Sequence, residues 1–142
     1  MANEKINSIP SNKLQVVESI TEAKQLERKD SGKVFVFDQD AFDVNLPKLS
    51  TDIAGCNCTM IKRTSADSDM TISTYSGDGA KIKYIEFQGD DSTGSGYVTN
   101  IVVEQSSTGG NQVCFLKFFT DGTTWYAHLY GEKDTGNTFT SS

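Results

Sequence analysis

The sequence predicts an all-β domain, an antiparallel β-sandwich or jelly roll with an extended N-terminal arm. Three observations predict it. Short runs rich in Val, Ile, Phe and Tyr recur between clusters of Gly, Ser, Thr and Asp, the pattern of half-buried strands joined by turns. Two apolar runs of strand length flank Asp121-Gly122, a dipeptide that favours hairpin turns. At 142 residues the chain fits one domain that buries roughly two thirds of its unfolded surface, enough for a core without staples.

With Asp121 and Gly122 as a two-residue type I′ loop, Thr120 faces Thr123, Phe118 faces Trp125, Leu116 faces Ala127 and Cys114 faces Leu129. Side chains alternate along a strand, so Cys114, Leu116, Phe118, Trp125, Ala127 and Leu129 share one apolar face, read as core. The opposite face carries Val113, Phe115, Lys117, Phe119, Tyr126, His128 and Tyr130. That is too aromatic for an ordinary solvated face. A second sheet or loop of the same chain would cover it, or else it is a subunit interface or a ligand surface.

The remaining elements follow in order. Residues 1–12 read as an extended arm, polar apart from Ile6 and Ile9 and broken by Pro10. So few apolar groups cannot offset the entropy of ordering it alone, so an ordered arm would lie across a neighbouring subunit. Residues 13–131 form the single β-domain and residues 132–142 a polar, frayed tail. Ser19-Ile20-Thr21-Glu22 fits a capping box, yet Leu14, Val16 and Val17 suit a strand better, so a strand begins near Leu14. A short helical turn at Leu26 to Lys29 and a turn at Asp30-Ser31-Gly32 lead into the β run Lys33 to Phe37. Val44 to Pro47 is a short strand stopped by proline, Lys48 to Gly55 a loop, and Cys56 to Arg63 a strand with Cys56, Cys58 and Met60 on one face. Met70 to Thr74, Lys81 to Phe87 and Tyr97 to Glu104 are further strands. Gly77-Asp78-Gly79 is a turn and Gly89 to Gly96 a polar loop. Spacing of this kind suggests about eight to ten strands.

Several chemistries are disfavoured. A net charge of −6 with scattered basic residues gives no electrostatic footprint for nucleic acid. Nothing approaches the roughly eighteen consecutive apolar residues of a membrane span, and the N-terminus lacks a signal-type apolar core, so the expected place of synthesis and assembly is a cytoplasm. Asp38, Asp40 and Asp43 invite a calcium loop, but Phe42 and Asp43 stand where an EF-hand requires a third ligand and a glycine, so a solvated turn fits better. The loop Gly89 to Gly96 lacks the lysine and following helix of a phosphate cradle. Cys56 and Cys58 are poorly placed to bond to each other and read with Cys114 as small buried hydrophobes, and no metal or cofactor is expected. His128, the single histidine, sits mid-strand and reads as structural, so neither a hydrolytic triad nor a marked carboxylate pair suggests an enzyme.

Several segments, taken in order, resemble the small β-structured virion proteins of tailed bacteriophages, the head decoration proteins and the globular ends of fibres. The run from Leu26 to Phe37, with Asp30-Ser31-Gly32 before its β run, resembles their opening; Val44-Asn45-Leu46-Pro47 resembles the next element and Gly55 to Ile61 the strand after it. Asp121-Gly122-Thr123-Thr124-Trp125 resembles the closing hairpin. The resemblance spans roughly residues 16 to 130, and the Cys56/Cys58 pair and the N-terminal arm depart from it.

What the resemblance implies is a non-enzymatic capsid decoration or cement protein, a homotrimer bound to the major capsid protein on the virion surface. Phe115, Phe119, Tyr126, His128 and Tyr130, with Ile6 and Ile9 of the arm, are then the candidate interface residues. The alternative is a fibre-tip or carbohydrate-binding module that stacks a host glycan on Tyr97, Tyr126 and Tyr130.

Overall fold

Strands form where the apolar runs lie, and their pairing sets which faces are buried. The computed structural model describes residues 15–37, 43–62, 69–88, 91–103, 114–131 and 139–142. It is built from β1 (Val17–Ser19), β2 (Lys24–Gln25), β3 (Val34–Phe37), β4 (Val44–Asn45), β5 (Asn57–Lys62), β6 (Met70–Ser73), β7 (Ile82–Gln88), β8 (Asp91–Val98), β9 (Asn100–Val103), β10 (Cys114–Thr120), β11 (Trp125–Gly131) and β12 (Phe139–Ser141). Two 3-10 turns, Arg28–Asp30 and Thr51–Ile53, lie in the connections. The arm with Ile6 and Ile9, the 38–42 carboxylate cluster and Val113 fall outside the described residues.

The strands form a seven-stranded sheet, β1-β3-β5-β10-β11-β7-β8, and a five-stranded sheet, β12-β9-β6-β4-β2. Both are mixed, which corrects the expectation of purely antiparallel pairing. The first six strands alternate between the sheets, so each return to a sheet runs in the same direction as the last. β1, β3 and β5 are therefore parallel neighbours in one sheet, and β2, β4 and β6 in the other. β11 and β7 are also parallel, while the hairpin β10/β11 and the pairs β5/β10, β7/β8, β6/β9 and β9/β12 are antiparallel.

One apolar cluster draws on both sheets, with Phe35, Phe37, Met60, Leu116, Phe118, Trp125 and Leu129 from the larger and Val44, Met70, Ile72, Ile101 and Val103 from the smaller. Polar links also cross between them. Glu18 on edge strand β1 pairs with Lys24 on edge strand β2, and the Lys62 ammonium donates to the Val103 carbonyl at 3.2 Å. Burial pushes the Lys62 pKa down. On the opposite side the Tyr84 hydroxyl of β7, one strand in from the edge, lies 2.9 Å from the Ser141 hydroxyl of edge strand β12.

Three local expectations are corrected. Residues 91–96, expected as loop, extend β8 back to Asp91, because antiparallel pairing to β7 uses backbone groups that any residue supplies. The run Tyr97 to Glu104 divides at Thr99, so Tyr97 and Val98 close the larger sheet while Asn100 to Val103 join the smaller. Part of the expected tail, Phe139–Ser141, is a strand paired to β9, with the Thr99 and Asn100 N–H groups donating to the Ser142 carbonyl.

The hairpin keeps its predicted face and changes its register. Thr120 faces Trp125, Phe118 faces Ala127 and Leu116 faces Leu129, two residues from the expected pairing. A two-residue shift preserves the face, and Cys114, Leu116, Phe118, Trp125, Ala127 and Leu129 are all buried. The loop is wider because a side chain turns the chain. Asp121 Oδ1 accepts from the Thr123 and Thr124 N–H groups at 2.8 and 2.9 Å. Positive φ is then needed at Gly122 alone (φ +94°), so the type I′ turn does not form.

Candidate interaction face

Every second residue of β5, β10, β11 and β7 points away from the core, and pairing aligns these residues in rows. One row runs Ile61, Phe115, Tyr130, Phe87; the next Thr59, Lys117, His128, Ile85; the third Asn57, Phe119, Tyr126, Lys83 and, on β8, Tyr97. The structure thus brings together Phe115, Phe119, Tyr126, His128 and Tyr130 on one face. It adds Ile61, Lys83, Ile85 and Phe87, which sequence reasoning missed. Ile82 to Phe87 gave no clean signal, because its apolar pattern changes phase between Tyr84 and Ile85, and that β7 lies beside β11 is set by a parallel pairing distant in sequence.

Large apolar side chains stand open to solvent here: Phe119 is 48% exposed, Ile85 44%, Phe115 43%, Tyr130 39% and Tyr97 57%. Phe119 stacks on Tyr126 and Tyr130 on Phe87, each at 5.1 Å between centroids, and His128 meets Tyr130 edge-on at 6.3 Å. At that spacing one flat side of each stacked ring is taken by its neighbour. The Lys83 ammonium sits 5.8 Å from the Tyr97 ring centre. The rings therefore form a mutually braced surface rather than a set of free platforms.

The charge on this face is one-sided. Lys83 and Lys117 stand in the three rows, and no position in them is Asp or Glu. Neither lysine makes an ion pair among the described residues, whereas Lys24, Lys29 and Lys33 pair with Glu18, Glu27 and both Asp30 and Glu18. At the rim, Asp121 is committed. Besides the hairpin N–H groups it accepts from the Thr123 hydroxyl at 2.8 Å and the Tyr126 hydroxyl at 3.2 Å. These bonds, led by the Thr123 N–H, hold its carboxyl down at about 2. The same partnership raises the Tyr126 phenol.

The outer face of the smaller sheet is different. Gln25, Asn45, Ser73 and Asn100 align across β2, β4, β6 and β9, an amide and hydroxyl row.

Cys56, Cys58 and Cys114 are free and buried, and burial, then Asp30 and Cys56, push the Cys58 thiol up to about 12. A thiol held so high is a poor nucleophile at neutral pH. Among the described residues no group of three His, Cys, Asp or Glu side chains is placed to hold a metal ion. A pocket bounded by Leu26, Pro47, Cys56, Cys58 and Trp125 encloses about 10 Å³, room for roughly one water. No helix of the described residues is long and apolar enough to cross a membrane.

No protein-family model matches the chain, and no curated protein matches it either.

Proposed function

We propose that this chain is a non-enzymatic structural protein of the tailed-phage virion type, a β-sandwich that decorates and stabilises a capsid surface as a homotrimer. The observation that carries the reading is the difference between its two outer faces. One is aromatic and open, the other mostly amides and hydroxyls, with Val102 beside Thr71 in the next row. Such a molecule has a side to attach and a side to expose. The shared core and the cross-sheet links support the sandwich, and the order of segments resembling phage decoration proteins supports the class.

Size favours attachment in several copies. The face spans five strands and about six residues of each, about 20 Å by 20 Å, or roughly 400 Å². That is about half of what one partner contributes to a stable interface of standard size. Three faces presented together bind through effective concentration rather than through one strong contact. In this reading the arm, with Ile6 and Ile9, straps a subunit to its neighbour.

The test combines solution mass with shell binding. Light scattering is expected to give a discrete trimer for the full chain and a smaller species when residues 1–12 are removed. The trimer is expected to co-sediment with empty tailed-phage shells, and Phe115→Ser with Phe119→Ser to abolish co-sedimentation without unfolding the protein. A strict monomer that ignores shells would refute the proposal. A monomer that binds glycans, and loses that binding on Tyr126→Ala, would move the function to carbohydrate recognition.

A further inference from the structure

We propose that the aromatic face of the seven-stranded sheet seats a carboxylate-bearing surface of a different protein, not a second copy of this chain. The inference rests on that face being the docking side and goes on to name its partner's chemistry.

The chain carries 19 acidic and 13 basic residues, yet the three rows hold Lys83 and Lys117 and no acid. Neither ammonium has a carboxylate partner among the described residues, and Lys83 sits over the Tyr97 ring. A partner that covers the face removes water from both lysines. That costs several kcal/mol per ion unless opposite charges are supplied. Among the described residues the face itself supplies none. Asp121, at the rim, is engaged by Thr123, Thr124 and Tyr126, and the proposal places the acid on the partner.

The same bookkeeping weighs against self-association through this face. Two copies face to face would enclose four lysines with no carboxylate from any of the three rows, a like-charge arrangement that opposes pairing. The smaller sheet of a second copy presents Gln25, Asn45, Ser73 and Asn100, which offer no countercharge. Nucleic acid fits no better, because two lysines cannot track a phosphate backbone and Phe115, Phe119 and Ile85 would meet no apolar counterpart. An acidic protein surface with apolar groups between its carboxylates answers both halves of the face.

The experiment titrates the isotope-labelled full chain with a random Glu/Tyr copolymer and, in parallel, a Lys/Tyr copolymer, following backbone amides. With the acidic polymer, shifts are expected to cluster on Lys83 to Phe87, Phe115 to Phe119 and Tyr126 to Tyr130. Apparent affinity is expected to fall about tenfold or more in K83E/K117E and in high salt, with preference turning to the basic polymer. K83Q/K117Q, expected to fall between, carries the comparison should the glutamate pair fail to fold. Equal binding of both polymers at the face would overturn the charge inference while leaving the docking face intact. Shifts elsewhere, or none, would overturn the docking face as well. Concentration-dependent broadening confined to the face without polymer would give the seat to a second copy and overturn the proposal.

Discussion

Asp121 shows how one side chain redirects a turn. Its carboxylate gathers two backbone N–H groups and two hydroxyls, which lets a four-residue loop replace the two-residue turn that Asp-Gly suggests. Because its folded pKa of about 2 lies below the ordinary value, the stabilisation is full above the unfolded pKa of about 4 and is lost as pH falls towards 2. Thermal melts of the protein and of Asp121→Asn are expected to differ by a constant amount above about pH 5 and to converge between about pH 4 and 2. Gly122 is constrained twice over. It combines φ +94° with a backbone so near Ser50 that an added Cβ would lie 2.7 Å from the Ser50 carbonyl oxygen, whereas Gly55, at φ +87°, has open space. Denaturant unfolding is expected to cost Gly122→Ala about 2 kcal/mol or more and Gly55→Ala about 1 kcal/mol, the difference measuring the close approach.

β10 puts two identical side chains in opposite roles. Phe118 is 1% exposed, opposite Ala127 in the core, and its neighbour Phe119 is 48% exposed on the outer face. Phe118→Ala is expected to cost about 3 to 5 kcal/mol, the usual cost of emptying a buried aromatic site. Phe119→Ser removes one stacking contact with Tyr126 and is expected to cost about 1 kcal/mol or less, while weakening docking. Denaturant midpoints would separate the two. Equal losses would mean that Phe119 also belongs to the core. The edge elements are held differently, by charge. Lys24 and then Lys33 draw the Glu18 pKa down. Burial pushes Asp30 up, but the Lys33 ammonium and the Glu27 N–H outweigh it and leave its carboxyl below the usual range. That network ties β1, β2 and the 3-10 turn Arg28–Asp30 together where few apolar groups are available.

Across the whole molecule, the core is shared and both sides are joined, so the sheets are expected to open together. The three buried thiols report on this. In native protein at pH 8 a soluble thiol reagent is expected to label Cys56, Cys58 and Cys114 at the rate of global unfolding, and all three rapidly in denaturant. Fast native labelling of Cys56 alone, the most exposed of them at 9%, would reveal local opening at the start of β5.

The β class, the position of most strands and the burial pattern of the final hairpin were legible in the residues alone. Alternation is local and survives any even shift in register, so Cys114, Leu116 and Phe118 face inward under the expected pairing and the observed one alike. Phe115, Phe119, Tyr126, His128 and Tyr130 were legible as a second face for the same reason. Tertiary structure decided what lies beside what. The parallel neighbours β1, β3 and β5, the sheet change at Thr99, the strand at Asp91–Val98 and the return of Phe139–Ser141 depend on backbone hydrogen bonds between segments far apart in sequence, to which side-chain pattern is nearly indifferent. It also decided that Lys83, Ile85 and Phe87 extend the aromatic face, because a parallel strand reaches β11 by a connection that no local turn signal announces.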